Sequence, residues 1–371
     1  MTPTYPVELE THWLQVAQTE TRATTIRDVL HRLRPDIVRL ADRFTTARPA
    51  DAAAAVPYLR DTRSCAAYSL FFAPQTYARL SLILAELPPF PATAQPLRVL
   101  DLGAGTGAAS WALLDHLGPR PVALSARDHS RPALRCLHDL FSALRRGRWP
   151  EATLRTAPES LDDFAANTEK FDVILLHYVL NELPAESRRT VLSRAARALA
   201  PGGRLILCEP LLHDAGDYMR GLRAHALEDL HLHVLAPCPH VLACPLEGPC
   251  HDVRTWKLSQ ALQILNSVLK RDLRHLAFAF LVLGPDAPPA ADTLRARVVG
   301  SPAHAKGQTV CPACCADGLV RRLQLLHRDF DTLGRKELRH LERGQVLRLA
   351  ALKPLGDPTL FRAVPAAPAA T

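Results

Sequence analysis

The 371-residue sequence lacks several features that would assign it to a specialised class of protein. It has no run of about 18 consecutive apolar residues, so no membrane-spanning helix and no membrane partner are expected. The first ten residues contain two glutamates and no apolar core, so we expect no secretory signal and a cytoplasmic location. No internal repeat is visible, which excludes the repeat architectures.

The composition indicates hydrophobic cores and a basic surface. Hydrophobic residues make up 48% of the sequence, and the length is typical of about two domains. Lysine and arginine number 45 against 37 acidic residues, which gives a net charge of +8 and a pI of about 9.2. This balance fits an anionic partner such as RNA, although a modest surplus of arginine also serves solubility. We expect a monomer.

One segment combines an apolar strand with three closely spaced glycines. The strand ends at Asp101, Gly103, Gly105 and Gly107 follow, and a helical pattern begins directly after them. Glycines permit a tight turn and the close approach of backbone to a ligand. Their spacing differs from the Gly-x-Gly-x-x-Gly turn of dinucleotide enzymes, which favours a nucleoside ligand without a pyrophosphate. The segment resembles motif I of class I S-adenosylmethionine-dependent methyltransferases.

Strand and helix patterns alternate from about residue 97 to 210, which predicts an α/β fold with a doubly wound parallel sheet. In such sheets the ligand lies beyond the carboxyl ends of the strands. Asp101 would face this pocket, and the glycine backbone would pass close to the methionine part of S-adenosylmethionine. Asp128, after the second strand, would accept hydrogen bonds from the ribose, and Glu159, after the third, would flank the adenine.

Asn181 and Glu182 follow the fourth strand, where methyltransferases often present residues that bind the methyl acceptor. An ordinary helix start explains the same pair, so the two residues are candidates for catalysis and no more. Methyl transfer from a sulfonium depends above all on positioning, so the sequence identifies no obligatory catalytic residue. A base-methylating motif such as Asn-Pro-Pro-Tyr is absent after this strand.

A helical region of residues 1–95 precedes the predicted sheet. Helical spacing predicts helices over residues 12–19, 25–40 and 67–87, and a leucine-rich face in the second of these predicts one packed side. Seven arginines are spread over residues 22–48. They fit either a solvated helix face or a surface that contacts phosphates.

Six of the nine cysteines fall into two groups. Cys238, Cys244 and Cys250 are evenly spaced in a proline-rich stretch, and Cys311, Cys314 and Cys315 follow later in the chain. Without a secretion signal, metal binding is a better interpretation than disulfides. The spacing does not match a zinc ribbon and suits a 4Fe-4S cluster better, with zinc as the alternative and His240 and His251 as its possible further ligands. Unliganded cysteines in a proline-rich loop remain a third interpretation.

The chain resembles the methyltransferase-like proteins associated with the small ribosomal subunit, which occur in mitochondria and as bacterial relatives. The resemblance covers roughly residues 65 to 357 and includes the glycine turn, Val179–Pro184 and the cysteine-proline-histidine block from Ala236 to His251. It implies a 4Fe-4S cluster held by Cys238, Cys244, Cys250 and Cys314. Cys314 is preferred to its neighbours because it lies four residues before Gly318, as in the family pattern. The C-terminal end departs from the family, since only Leu355–Asp357 remains of its usual ending.

These observations predict four parts. They are an N-terminal helical region (1–95), a class I methyltransferase core (96–285) with a cysteine-rich metal-binding insertion (236–256), a small C-terminal β module (286–360) and a disordered tail (361–371). Two functions are compatible with them. One is methyl transfer from S-adenosylmethionine to small-subunit ribosomal RNA, and the other is ribosome assembly with the fold as a non-catalytic RNA-binding scaffold.

Overall fold

The computed structural model describes residues 2–44, 58–91, 95–165, 169–211, 215–287 and 293–366. None of the helices within these ranges is both long and apolar enough to cross a membrane. The described α-helices, in chain order, are α1 (Val7–Thr21), α2 (Ile26–Phe44), α3 (Thr62–Phe71), α4 (Ala73–Glu86), α5 (Ala108–Leu117), α6 (Arg131–Arg148), α7 (Ala185–Arg197), α8 (Ala215–Glu228), α9 (Gln260–Leu269) and α10 (Thr332–Arg339).

The helical region before the first sheet forms as expected, with one difference. The apolar face of α2 is fully buried at Leu30, Leu33 and Ile37, which confirms the predicted packed side. The single helix predicted over residues 67–87 is instead two, because the chain breaks at Phe72 and Pro74 lies in the first turn of α4. Of the seven arginines between residues 22 and 48, the last lies outside the described residues.

Serine and aspartate side chains determine where several helices begin. At α3 the Asp61 carboxylate accepts a hydrogen bond from the Ser64 amide at 2.7 Å, and Ser130 does the same for Ala133 at the start of α6. Sequence spacing predicts a helix from residue 256 to 271. The structure begins α9 at 260, because the Ser259 hydroxyl caps the helix there.

The first sheet has eight strands within the described residues, in the order β3-β2-β1-β4-β5-β8-β6, with β7 also paired to β8. The strands are β1 (Leu97–Leu102), β2 (Val122–Asp128), β3 (Ala152–Pro158), β4 (Phe171–His177), β5 (Leu199–Pro210), β6 (His233–Ala236), β7 (Asp252–Thr255) and β8 (His275–Gly284). Strands β1 to β5 are mutually parallel, as predicted, and the strand order reverses beside β1. This reversal is the place where open α/β sheets bind ligands.

The sheet as a whole is mixed, which corrects the prediction of a parallel sheet. Strand β8 runs antiparallel to β5, and both β6 and β7 run antiparallel to β8 along its other edge. The physical reason is the connection into β8. The chain pairs β7 directly with β8 and reaches it through the short helix α9, without the crossover that a parallel neighbour requires.

The cysteine-rich segment is an excursion from this edge of the sheet. Strand β6 ends opposite Val282 and β7 begins opposite Phe278. On this edge of β8, the three residues between these positions therefore have no partner strand, although they pair with β5 on the other side. Residues 237–251 loop out across this gap. The loop therefore lies over Ala279, Phe280 and Leu281, which form the floor of a cavity beneath it.

The second sheet closes into a small barrel. Its described strands are β9 (Leu294–Val298), β10 (Ala303–Ala305), β11 (Gln308–Cys315), β12 (Val320–Leu326), β13 (Val346–Pro354) and β14 (Leu360–Pro365). The order is β10-β11-β12-β14-β13-β9, and β11 also pairs with β9, which joins the two ends of the main sheet. Its inner face is apolar and includes Val298, Cys311, Leu323 and Leu325, all essentially inaccessible.

The predicted disordered tail is wrong for residues 361–365. They belong to β14, which pairs with β12 on one side and with β13 on the other, so their backbone groups complete the barrel. The Ala363 side chain is fully buried in its core. Composition misled the prediction, because alanine and proline at the end of the chain dominate the segment. Residues 367–371 lie outside the described part of the chain.

Candidate functional site

The glycine turn after β1 needs glycine at two positions for steric reasons. Gly103 has φ +73°, and a Cβ atom there would lie 2.2 Å from Cγ1 of Val179. Gly107 has φ +88°, and its Cβ would lie 2.5 Å from the Trp111 ring. Both values are far inside van der Waals contact, so the chain passes this point only as bare backbone.

Asp128 joins the glycine turn to the turn that follows β2. Its Oδ2 accepts a hydrogen bond from the Gly105 amide at 2.8 Å, and its Oδ1 accepts one from the Ser130 amide at 2.7 Å. Burial raises the pKa of Asp128, and these two backbone donors oppose that shift. The carboxylate is thus held at the carboxyl ends of β1 and β2, on the cavity wall, with acceptor capacity left for a ligand hydroxyl.

Asp101 lies behind the glycine turn and is not among the residues that line the cavity, which differs from the sequence prediction. Its Oδ2 accepts a hydrogen bond from the Ser110 hydroxyl of α5 at 2.6 Å. Burial raises its pKa to about 7. The residue ties β1 to the first turn of α5, so its role in the described structure is to support the turn.

The cavity at the strand ends has a volume of about 410 Å³, which is within the range of small-molecule sites. Gly103, Gly105, Asp128 and Glu159 lie on its wall, together with Asn181 and Glu182, so the structure brings together most of the predicted site residues. Glu159 is already bound, since its Oε2 accepts a hydrogen bond from Arg127 at 2.8 Å. Gly107, like Asp101, supports the turn from outside the wall.

Sequence reasoning missed the polar groups at the end of β4. His177 is buried, and neither of its ring nitrogens has a hydrogen-bond partner within the described residues. Burial, assisted by the Arg79 cation, lowers the pKa of His177 to about 3, so the imidazole is neutral. Tyr178 adopts φ +63°, which is strained for a bulky residue. Oδ1 of the buried Asn181 likewise has no hydrogen-bond partner among the residues that the structure describes. A histidine that ends an otherwise apolar strand was the available signal.

Glu209, at the end of β5, fixes the turn that carries the acceptor-side candidates. Its carboxylate accepts hydrogen bonds from the Leu180 amide at 2.9 Å and from the Asn181 amide at 3.3 Å. Burial raises the pKa of Glu209 to about 8. Across the cavity, the Tyr58 hydroxyl donates to Oε1 of Glu182 at 3.0 Å, which links the N-terminal region to this turn.

A second cavity is lined by four of the nine cysteines: Cys238, Cys244, Cys250 and Cys314. The first three lie in the loop over the edge of β8, and the fourth comes from β11 of the barrel. Side chains alternate along a strand, so Cys311 and Cys315 point into the barrel core and Cys314 points out of it. The alternation therefore selects Cys314, which the sequence left uncertain among three neighbours, as the cysteine that faces the loop.

Helix α8 holds the cysteine loop with three residues of one face, which sequence reasoning also missed. Gly216 packs against Pro249 so closely that a Cβ atom would lie 2.0 Å from the proline ring. Arg220 donates to the Glu247 carbonyl at 2.9 Å. Arg223 donates from Nε to Sγ of Cys238 at 3.3 Å and from Nη2 to the His240 carbonyl at 2.9 Å. The spacing of four and three residues between these positions was the available signal.

The two sheets meet beside this loop at a buried ionic network. Arg297 of β9 pairs with Asp252 of β7 and with Glu86 of α4. Arg254 pairs with the same Glu86 at 2.9 Å and with Glu342 at 3.5 Å. Removing one member would leave a buried charge uncompensated, which typically costs about 3–5 kcal/mol. The network fixes the barrel, and with it Cys314, against the first sheet.

The metal-binding character predicted for residues 236–256 is not supported by the structure. No group of three or more His, Cys, Asp or Glu side chains among the described residues is arranged so that it would hold a metal ion. Burial, with the neighbouring thiols, raises the pKa of Cys250 to about 11 and that of Cys314 to about 12. These thiols are therefore protonated at neutral pH, and binding of a metal ion or cluster would have to release their protons.

The strand order and the glycine turn define a Rossmann-like fold of the class I methyltransferases, from which S-adenosylmethionine binding is expected. The chain belongs to the family described as mitochondrial small ribosomal subunit Rsm22, whose model matches residues 62–357.

Curated relatives match parts of the chain. The human protein "Ribosome assembly protein METTL17, mitochondrial" is 26% identical over 249 residues, which cover 63% of this chain and 51% of the relative. A carboxy-S-adenosyl-L-methionine synthase of Shewanella amazonensis is 30% identical over 134 residues, which cover 36% of this chain and 51% of the relative. The chain thus spans about half the length of these relatives.

Solved methyltransferase structures also resemble the chain. The match to an S-adenosylmethionine-dependent methyltransferase from Agrobacterium tumefaciens covers 57% of this chain and 63% of that chain, at 15% identity and with a TM-score of 0.37. A TehB-like enzyme of Corynebacterium glutamicum covers 57% and 88% at 17% identity, with a TM-score of 0.34. Neither likeness is close enough to carry a functional conclusion.

Proposed function

We propose that the protein binds S-adenosylmethionine and acts on the small ribosomal subunit, as a methyltransferase of its ribosomal RNA, as an assembly factor, or as both. The observation that carries the first half is the cavity where the glycine turn and the Asp128 carboxylate meet at the strand ends. The proposed action on the small ribosomal subunit is supported by family membership and by the similarity to the human ribosome assembly protein.

Different residues of the cavity would contact different parts of the cofactor. The backbone of Gly103 and Gly105 would lie beside the methionine part, Asp128 would accept from the ribose hydroxyls, and Glu159 would flank the adenine. Asp101 and Gly107 would keep the turn in shape from behind. S-adenosylmethionine supplies a methyl carbon activated by its sulfonium charge, so the protein has to hold the acceptor in line with it and exclude water.

Asn181 and Glu182 are the candidates for holding the methyl acceptor. Oδ1 of Asn181 is buried on the cavity wall and has no hydrogen-bond partner within the described part of the chain, so it would accept a hydrogen bond from an N–H group of the methyl acceptor. His177 stays neutral at every physiological pH, so it would donate or accept one hydrogen bond without taking up the acceptor's proton. We assign these groups to positioning.

The test is transfer of a tritiated methyl group from S-adenosylmethionine to small ribosomal subunits purified from cells that lack this protein. We expect label in the ribosomal RNA with the wild type. With Asn181→Ala the rate of labelling should fall at least about tenfold, because the side chain that would hold the methyl acceptor is gone. Thermal melting checks that the variant folds. No label with subunits at any stage of assembly, under conditions where S-adenosylmethionine binds, would contradict the catalytic half.

A non-catalytic assembly scaffold is the second candidate. It is favoured by the occupation of the acceptor side, because Glu182 is bonded to Tyr58 and the amides around Asn181 are bonded to Glu209. Under this alternative the protein would bind small subunits with unchanged affinity when Asn181 is replaced, and no methyl group would be transferred.

We also propose that Cys238, Cys244, Cys250 and Cys314 hold a 4Fe-4S cluster. The donor set fits this group, since four thiols line one cavity and the Arg223 guanidinium donates to one of the sulfurs. In such a cluster each thiolate binds a different iron, so the sulfurs surround a volume and need no geometry around a single ion. A single zinc ion needs four ligand atoms at about 2.3 Å or less from the ion itself. Zinc is the weaker alternative, because no group of side chains among the described residues is arranged in this way. The cluster would link the loop covalently to the barrel.

A further inference from the structure

Almost all of the net charge of the protein lies in the barrel. Residues 293–366 contain 13 lysines and arginines against six acidic residues, a net charge of +7 out of the +8 of the whole chain. The methyltransferase part and the helical region are therefore close to neutral. A basic domain beside a neutral one is the electrostatic pattern of a nucleic-acid contact.

Four cations lie in two cross-strand pairs on the outer face of β9, β13 and β14. Arg295 lies directly opposite Arg348 in the β9–β13 pair, and Lys353 lies opposite Arg362 in the β13–β14 pair. All four point away from the barrel core, because their neighbours Ala296, Leu349, Leu352 and Ala363 point into it. A β-bulge between Leu349 and Ala351 keeps both leucines inside, so Arg348 and Lys353 share the outer face.

Like charges in directly opposed positions destabilise a sheet. Arg362 is neutralised by a bidentate pair with Asp329 at 2.9 Å. Arg348 and Lys353 have no carboxylate within ion-pair distance among the described residues. Glu86, the acidic group that acts on Arg295, is already shared by Arg297 and Arg254. Burial, and after it the facing Arg348, lower the pKa of Arg295. The opposed Arg295–Arg348 pair therefore costs stability unless an anion lies beside it.

The connectivity of the barrel adds to this argument. Its strands pair in the order β9-β11-β12-β14-β13-β9, with β12 and β14 parallel and α10 between β12 and β13, which is the topology of the OB-fold. Such barrels commonly bind oligonucleotides on their second and third strands. Here several side chains of that face already have partners within the protein. Pro312 packs under Gly300, Gln308 is bonded to Gln324, and Arg322 is paired with Asp357.

We propose that the outer face of β13, marked by Arg348 and Lys353, together with the adjoining Arg295 of β9, binds the phosphate backbone of ribosomal RNA. None of the exposed large apolar side chains of the described barrel is aromatic, so charge is the main feature that the surface offers to a ligand. Binding is accordingly independent of base sequence. The inference rests on the proposed association with the small subunit and names the surface that makes it.

The test measures binding of the full-length protein to a fluorescent single-stranded RNA of about 12 nucleotides, over about 50–200 mM salt. We compare the wild type with the double variant R348S/K353S, with single R348S, and with Arg322→Ser as the matched control on the usual OB face. Removal of each phosphate contact should reduce the slope of log affinity against log salt by about 0.7. The double variant should therefore lose about 1.4 and bind more weakly, while R322S should match the wild type.

Thermal stability provides the readout that a structural role would not give. Because R348S relieves a repulsion, its melting temperature should equal or exceed that of the wild type while RNA binding weakens. An unchanged salt slope in the double variant, or a larger loss in R322S, would overturn the proposal. So would equal competition by poly-glutamate, which would indicate an acidic protein partner. If the RNA does not bind but the protein still cosediments with small subunits, this inference fails and the proposed function stands; if neither occurs, both fail.

Discussion

The glycine-turn cavity is built around residues 103–128, with further wall residues from the ends of later strands of the same sheet. The cysteine cavity instead collects four thiols from a loop and from a strand of another sheet. Gly103, Gly105 and Asp128 meet because parallel strands end at one edge of the sheet. Cys314 meets the other three cysteines because strand alternation and the Arg297–Asp252 contact orient the barrel. Local pattern therefore suffices to build the first site, and the second depends on how two sheets dock.

The largest effect that separates the two sites is expected when two cysteines of β11 are replaced one at a time. Cys314→Ser should lose nearly all iron and sulfide after anaerobic reconstitution, because one cluster ligand is gone. Cys311→Ser should keep both, and should instead lower the free energy of unfolding by about 1–3 kcal/mol, because it buries a hydroxyl in the barrel core. Iron analysis and urea denaturation measure the two effects. Iron retained in C314S and lost in C311S would show that the strand alternation is misassigned.

A smaller effect sharpens the description of the glycine turn. Gly103→Ala adds a Cβ atom 2.2 Å from Val179, so S-adenosylmethionine affinity should fall at least about tenfold as the turn is displaced. Gly118→Ala is the matched control, because Gly118 has φ +65° and no atom within 4 Å of the added Cβ. It should cost only about 1 kcal/mol of stability and leave the affinity unchanged. Calorimetric titration that finds equal affinities in the two variants would refute the steric argument.

The third effect is spread over several pH units and concerns the pH dependence of stability. The pKa of Asp101 is raised from an ordinary 3.8 to about 7 in the folded protein, so the folded state binds more protons than the unfolded state between these values. Its contribution is fully present below about pH 4 and is lost as the pH rises toward 7. Asp101→Asn should therefore flatten this part of the stability curve, by up to a few kcal/mol.

The measurement is urea unfolding of the wild type and D101N at several pH values from about 3 to about 8, which bracket the two pKa values. The pH dependence left in D101N should come from the other carboxyl groups whose pKa burial raises, among them Glu209 and Asp128. Parallel curves for the two proteins would mean that Asp101 is solvated or ionised in the folded state.

The sequence predicts the first site better than the second because of the range over which each is specified. The glycines, Asp128 and the order of the first five strands follow from patterns within a few residues. The sequence does not reveal that Asp101 supports the turn from behind, because that depends on the position of Ser110 in α5. Nor does it reveal the unpartnered His177, because strand burial hides a single polar residue.

Around the cysteines the sequence predicts composition but not placement. It identifies the loop and suggests Cys314, yet strand β11 itself is not predicted, and only its alternation separates Cys314 from Cys311 and Cys315. The antiparallel edge formed by β6, β7 and β8 is long-range and escapes local patterns. The tail after residue 360 resembles a linker in composition and becomes a strand because β12 and β13 supply its hydrogen-bond partners.

The measurement that tests the account most directly determines S-adenosylmethionine affinity and iron content on the same anaerobic samples of wild type, Cys244→Ser and Gly103→Ala. Two sites on one fold predict a double dissociation. C244S should lose its iron, and its absorbance near about 400 nm, while it binds S-adenosylmethionine as the wild type does. G103A should keep its iron and this absorbance but bind S-adenosylmethionine more weakly. A wild type without iron, or a C244S variant that loses both activities while still folded, would contradict the account.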